Sequence, residues 1–480
     1  MVVFLECGEN ALACLAEESF MDWVSLLSDR RLQGSGASFT HESRNPFETD
    51  GDRIAFSMEW RRASGKTQVH EPDMAGLPVR TRGTHSLEVS RVGRSLGQNV
   101  AGTILARHNL LDTVSLDALP SIISSAGLAH DLGNPPFGHA GEWAIARFFS
   151  RNQELLSKIP GRLRAEFANI DGNAQGFRIL TKTAGWRKTG GLQLTSATLA
   201  TMAKYPFSAE YCPKPWGKRK YGFYGSESNL FAEMAANVGL EEILPLRWCR
   251  HPLVHLLEAA DDLCYSVVDT VDAALVGDLS HIEAIELLMP LLPDGESSYR
   301  HLTDPMSRLE YLQSKAIGRL VKDSSEAFLD QEQSILQGTF PGDILMSLPV
   351  ASQLELIGRV ANEKIYNSPN RKIREECGDE VIVTLLTALC EAHMERERTG
   401  RPIPSGQAGD VLRLVYDGQE LHKLGDNRYQ WVRSVIDRVM SMTDAQATRI
   451  ATAIDPDLRN RLELKISNSR PVSSQPLSQF

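Results

Sequence analysis

The chain has 480 residues, of which 42% are hydrophobic and 23% charged, and its formal net charge is −10. That length suits one large core or two to three domains, and the composition is that of an ordinary globular protein. An acidic balance excludes a generally basic nucleic-acid-binding surface and leaves room only for a local basic patch.

The first stretch, "MVVFLECGENALACLAEESF", carries four glutamates and no basic leader, so it does not read as a secretory signal. No run of about 18 apolar residues suggests a membrane span. Seven cysteines are scattered without a C-x-x-C pair, which reads as reduced thiols and a cytoplasmic location. The polar, Pro/Ser-rich end, residues 468–480, is expected to be a disordered tail.

Helical periodicity dominates in between. "RTRGTHSLEVSRVGRSLG" places His85 at the head of an amphipathic helix with Leu87, Val89, Val92, Leu96 and Val100 mostly on one side. In "LDALPSIISSAGLAHD", Leu119, Ile122, Ile123, Ala126 and Gly127 recur at steps of three and four. A long helix is expected after Pro252, ending near Gly277, and "EVIVTLLTALCEAHMERE" and "YQWVRSVIDRVMSMTDAQATRIATAI" are helical as well. Alternating β-branched runs are scarce, and "KYGFYGSESN" reads as a small hairpin or ordered loop. Loops are expected at 29–50, 60–80, 150–172, 205–228 and 399–408, none a clean linker. The expectation is an all-α fold in one large domain, with a core at about 50–290 and a further helical part at about 291–467.

The chemistry concentrates in "AGLAHDLGNPPFGHAGEWAI", residues 126–145. His130 continues an apolar face and Asp131 stands beside it. A buried carboxylate is expensive without a partner, so it calls for a salt bridge or a metal ion. Glycines and prolines then stop the helix, and His139 follows with Glu142 three residues on, on the same face of the next helix. "EAADDLCYSVVDTVDA" offers Asp261, Tyr265 and Asp269 four apart on one helical stripe bordering the core. His85, His130, Asp131 and Asp261 together form an H…HD…D set. Two imidazoles and two carboxylates suit a hard or borderline divalent ion that keeps positions open for water and a phosphate oxygen.

Across about residues 47–445 the chain resembles the HD-domain deoxynucleoside triphosphate triphosphohydrolases, especially the bacterial dGTPase and dGTPase-like branch. The matching pieces are "DRIAFSMEWRRASGKTQV", "RTRGTHSLEV", "AHDLGNPPFGHAGEWAI", "DGNAQGFRIL", "EAADDLCYSVVD" and "VIDRVMSMTD". The resemblance implies metal ligands His85, His130, Asp131 and Asp261, with Mn²⁺ or Mg²⁺ as the ion. It implies that His139, supported by Glu142, serves the chemistry, and that Arg82 contacts the phosphates. Gln68 and Val69 would lie against the deoxyribose, Tyr265 would pack on it with Asp269 nearby, and Asn173 and Lys204 would flank the nucleotide. Gly83, His70, Arg438 and Ser441 depart from the family's usual residues, away from the metal set. The family also implies homo-oligomers, often hexamers, and in some members activation by bound nucleotides.

The reaction so implied turns a dNTP and water into a deoxynucleoside and inorganic tripolyphosphate. Two alternatives stand beside it: an HD phosphohydrolase for another nucleotide, and a nucleotide- or nucleic-acid-binding regulator with a vestigial site. For the second, "KPWGKRKYGFY" interleaves bases with aromatics in the manner of single-stranded DNA binders, although a surface loop or subunit contact is the plainer reading. Plain readings also cover Arg61 and Arg62 (a solvated helix end), Gln175 (a turn or cap) and the pair His251 and His255 (structural, or lining). Lys66 and Lys204 are read as possible point charges near the phosphates.

Overall fold

A computed structural model describes residues 21–32, 45–70, 77–184, 190–211, 220–292, 301–416 and 427–469. Among these residues the chain is all-α, with only two short strands, Glu242–Leu244 and Arg247–Trp248, paired antiparallel. None of the helices is long and apolar enough to cross a membrane. The chain divides into two compact units. One comprises the residues up to Asn134 together with Asp171–Ile365, and the other Pro135–Ile170 together with the residues from Tyr366.

The first unit is organised by three helices, Arg82–Arg107, Ala118–Ala129 and Leu253–Val276. Thr81 starts the first with a reciprocal cap: its hydroxyl accepts from the Thr84 N–H at 3.3 Å, and the Thr84 hydroxyl accepts from the Thr81 N–H at 2.9 Å. The second helix approaches the first closely enough that a Cβ at Gly127 would sit 2.8 Å from the Ser90 Cα, and one at Gly97 2.6 Å from the Pro120 Cα. Val89, Leu96, Val100, Ile122 and Ile123 fill the contact and are buried, whereas Leu87 is exposed and lies off the expected stripe. The third helix begins directly after Pro252 and stops at Gly277, whose φ of +85° ends it in the left-handed region.

His251 precedes that third helix. Its Nε2 donates to the Leu26 carbonyl at 3.0 Å and its Nδ1 accepts from the Leu253 N–H at 3.2 Å, so it is a satisfied structural histidine. The stretch 220–228 is an ordered loop with a short 3-10 turn, Gly225–Glu227. Tyr221, Phe223 and Tyr224 are fully buried in it. These rings cannot stack on bases, which removes them from the single-stranded DNA reading. Residues 212–219 of that run, Trp216 included, lie outside the described residues.

The second unit has its own core, built from Phe148, Phe149, Phe167, Leu385, Leu389, Trp431, Val435, Ile436 and Ile450. Its longest helix is Pro369–Thr399. The helical stretch expected at 429–454 forms two helices, Arg428–Met440 and Asp444–Ile454. Thr443 caps the second of these through its hydroxyl, which accepts from the Gln446 N–H. The last helix, Pro456–Ser469, takes in the first two residues of the expected tail, and the remainder lies outside the described residues.

His393 is buried in this core, stacked on Trp431 at 5.1 Å between centroids and 7° between planes. Burial pushes His393 down to about 3 and His251 down to about 4. Between those values and the ordinary histidine range the unfolded chain binds protons that the folded chain refuses. Their stabilisation is therefore full above about pH 6.5 and is lost as the pH falls. His393→Phe keeps the stack and removes the titration. Chemical denaturation at pH 7.5 and pH 5 is expected to show the variant losing about 2 kcal/mol less of its stability than the wild type on acidification. Equal losses would contradict this.

Candidate metal centre

Each helix of the first unit delivers its site residues at a defined place. The Thr81 cap sets Arg82 and His85 in the first turn of the first helix. His130 ends the second helix, and Asp131 opens the turn that follows. Asp261 and Tyr265 lie one turn apart within the third. His85, His130 and Asp131 each offer a ligand atom, and these atoms lie within 4.8 Å of one another. Asp261 joins them: its Oδ1 is 3.1 Å from His85 Nε2 and 3.5 Å from His130 Nε2. The four residues of the H…HD…D set therefore converge, although they are up to 176 positions apart in the chain.

The tautomer of His130 is decided by the backbone. Its Nδ1 donates to the Gly127 carbonyl at 2.7 Å, which leaves Nε2 as the nitrogen that either a proton or a metal ion takes. That Nε2 is buried, makes no hydrogen bond, and faces the carboxylates of Asp131 and Asp261. A buried imidazole nitrogen held in this way fits a divalent cation. The two carboxylates complete a mixed N/O donor set.

Asp131 is held from two sides. Arg82 donates to its Oδ2 at 2.6 Å, and the Asn134 side-chain amide donates to its Oδ1. Burial would push the Asp131 carboxyl up, but the Arg82 guanidinium and the two imidazoles hold it below its ordinary range. Asp261 is likewise held down by His130 and His85 against its burial. His130 shows the reverse: burial disfavours its charge, yet Asp131 and Asp261 outweigh burial and raise it to about 9.

The remaining expected residues fall as follows. Tyr265 lies 4.9 Å from the His85 ring, and its hydroxyl accepts from the Gln68 amide at 3.3 Å. Burial and the nearby Asp261 push the phenol well above its ordinary value, so it stays neutral. Val69 is half-buried beside Gln68, and Asp269 is buried two turns beyond Asp261. Lys204 pairs with Glu258 at 3.2 Å on the same helix as Asp261, and Asp262 and Asp261 are among the charges that raise it. Desolvation, with the Asp261 carboxylate next to it, pushes the half-buried Asp262 carboxyl well above its ordinary range, although Lys204 opposes this.

Asn173 is engaged locally. Its amide donates to Asp171 Oδ1 at 2.8 Å, and Asp171 also caps this helix, Gly172–Arg178. The backbone of the "DGNAQG" piece packs directly against the turn that follows Asp131. A Cβ on Gly133, two residues after Asp131, would stand 1.9 Å from the Gly172 carbonyl oxygen and 2.2 Å from the Gly176 nitrogen. Gln175 is buried in the same helix, in keeping with a structural role. Lys66 donates to the Asn134 carbonyl at 2.6 Å and so braces the same turn. Gly83 also has a steric reason here, since a Cβ would meet Ser64 at 2.7 Å.

Asn134 was not singled out from sequence. Its signal was its position three residues after Asp131 in a tight turn, where a side-chain amide reaches back to the carboxylate.

His139 and Glu142 belong to the second unit, on the helix Gly138–Arg151. The buried Glu142 accepts from His139 Nδ1 at 2.8 Å, while about half of the His139 side chain is exposed. A carboxylate that fixes one ring nitrogen leaves Nε2 as the working atom of an acid or base. Just before this helix Phe137 adopts φ +62°, and its N–H donates to Asp444 at 3.0 Å. A non-glycine residue in that region marks a backbone held by its surroundings.

The HD domain family model matches residues 82–171. The chain is 39% identical over 441 residues to a deoxyguanosinetriphosphate triphosphohydrolase-like protein of Synechocystis sp., covering 89% of this chain and 98% of the relative. It is 38% identical over 440 residues to a protein of the same description from Pseudomonas aeruginosa, covering 90% and 98%. A deoxyguanosinetriphosphate triphosphohydrolase of Salmonella arizonae is 31% identical over 403 residues, covering 73% and 77%.

A cation entering the four-residue set must displace the proton that His130 otherwise keeps up to about pH 9. Calorimetric titration of metal-free protein with Mn²⁺ is expected to show affinity rising roughly tenfold per pH unit between pH 6.5 and 8.5, with protons released. A pH-independent affinity would contradict the assignment.

Proposed function

The chain belongs to the deoxyguanosinetriphosphate triphosphohydrolase-like family of HD-domain proteins, and from that premise we propose that it hydrolyses deoxynucleoside triphosphates, dGTP among them, to deoxynucleoside and inorganic tripolyphosphate. The observation that carries this reading is the convergence of His85, His130, Asp131 and Asp261, with Arg82 bonded to one of them, in a family whose named relatives act on dGTP.

Those four residues would hold a divalent ion, Mn²⁺ or Mg²⁺. Bound there, the ion would supply Lewis-acid polarisation of a phosphate oxygen and a water of lowered pKa. Arg82 lies beside the ligands, where its planar guanidinium suits phosphate oxygens and offsets triphosphate charge. We assign Lys204 a second, more distant positive charge.

Water attacks the α-phosphorus, the bond to the 5′-oxygen breaks, and that oxygen takes up a proton. His139 is assigned as the proton donor. Support comes from the family resemblance, from its place eight residues after Asp131, and from the Glu142 bond that leaves Nε2 to work. Gln68, Val69 and Tyr265 are assigned to the deoxyribose, with Asp269 behind them. The Tyr265 phenol is fixed between the Gln68 amide and the His85 ring, so a ribose 2′-hydroxyl would meet a rigid wall. Asn173 is assigned only a supporting role through Asp171, at the edge of the nucleotide pocket.

Assembly into homo-oligomers, hexamers included, and activation by a bound nucleotide belong to the same reading, as does a cytoplasmic location.

Metal-stripped protein with Mn²⁺ or Mg²⁺ restored is expected to release tripolyphosphate from dNTPs, singly or in mixtures, and His130→Ala to release none. Tyr265→Ala is expected to narrow the preference for dGTP over GTP by roughly tenfold or more. Absence of tripolyphosphate from every dNTP and mixture, with metal present, would refute the proposal.

A further inference from the structure

The helix Gly138–Arg151 is amphipathic, and all but one of its large apolar side chains obey the pattern. Ile145, Phe148 and Phe149 are buried, as are Gly138, Ala140, Gly141 and Ala144. The exposed stripe holds His139, Arg147 and Ser150, and also Trp143, whose indole is 47% exposed. An indole on the water-facing side of a helix that has a full apolar core behind it gains little burial there, so its placement calls for another reason.

Its neighbour supplies one. Trp143 is one turn from His139, and the two rings lie nearly parallel, 20° apart with centroids 6.5 Å apart. Glu142, between them in sequence, fixes the Nδ1 of the same imidazole. A single hydrogen bond leaves a half-exposed imidazole free to rock about that bond. An aromatic face lying alongside, nearly parallel to the imidazole, limits that rocking.

We propose that Trp143 is a positioning residue that, together with Glu142, holds the His139 imidazole in the orientation from which Nε2 protonates the leaving 5′-oxygen. This inference rests on the functional reading above. It assigns Trp143 no contact with the substrate and no share in metal binding. The step it serves is balanced: water adds to phosphorus and gives up one proton to solvent, the P–O5′ bond breaks, the proton on Nε2 passes to the departing alkoxide, and His139 takes one proton back from solvent. Small misplacements of such a donor weaken catalysis strongly.

The test uses two substrates on the full-length, metal-loaded protein: the best dNTP, and the same dNTP with sulfur bridging at the 5′ position. A thiolate leaves without being protonated, so the second substrate has little need of the acid. For Trp143→Ala we expect kcat on the natural dNTP to fall by roughly 30-fold with KM nearly unchanged. On the sulfur-bridged substrate kcat should fall less than about threefold. Trp143→Phe, which keeps an aromatic face, should recover most of the loss. Thermal melting of both variants is run alongside.

Equal losses on the two substrates would mean a smaller folded fraction and would overturn the inference. So would no loss on either, or a Phe variant no better than Ala. Wild-type protein that released no tripolyphosphate from any dNTP would refute the functional reading itself, and this inference with it.

Discussion

Carboxylates buried among apolar helices need positive charge close at hand, and the first unit is arranged around that need. Asp131 and Asp261 stand within reach of two imidazoles, and Arg82 adds a fixed charge on Asp131. Removing any one partner would leave a buried charge uncompensated, which is far more damaging than losing a surface pair. The same crowding that makes the set costly for an isolated ion pair makes it a good cage for a divalent cation.

The helices meet that demand by simple means. Two glycines, Gly97 and Gly127, let the His85 helix and the His130 helix touch backbone to backbone, so their ends lie side by side. The Thr81 cap fixes where the first helix starts, hence where Arg82 and His85 point. The turn after Asp131 is clamped from below by Gly172 and Gly176 and from the side by Lys66 on the Asn134 carbonyl. The Gly127 carbonyl on His130 Nδ1, and Arg82 and Asn134 on Asp131, orient these two side chains before any ligand arrives.

Much of this was legible in the sequence. The helix after Pro252 and its stop at Gly277 follow from proline and glycine punctuation. The all-α class follows from the periodicity. The four converging side chains could be proposed because histidine and aspartate at helix ends and on core-bordering stripes have few inexpensive explanations. What the sequence did not show was contact between distant backbones. Nothing in "DGNAQG" announces that its backbone packs against Gly133, nor in Lys66 that its ammonium braces the Asn134 carbonyl. Leu87 lies off the stripe because this helix buries Ser86, Ser90, Gly93 and Gly97 along with its valines, so apolar residues alone do not mark its buried face. The interleaved aromatics near 221–224 looked like a binding surface because a composition of bases and rings does not say which way the rings face. Here they face inward.

The claim on which everything else depends is that His85, His130, Asp131 and Asp261 bind one cation together. X-ray absorption on protein loaded with one equivalent of Mn²⁺ examines it directly. The account predicts a first shell with two imidazole nitrogens among oxygens, and loss of one imidazole's scattering in either His85→Ala or His130→Ala. A shell of oxygens alone, unchanged by those substitutions, would contradict it.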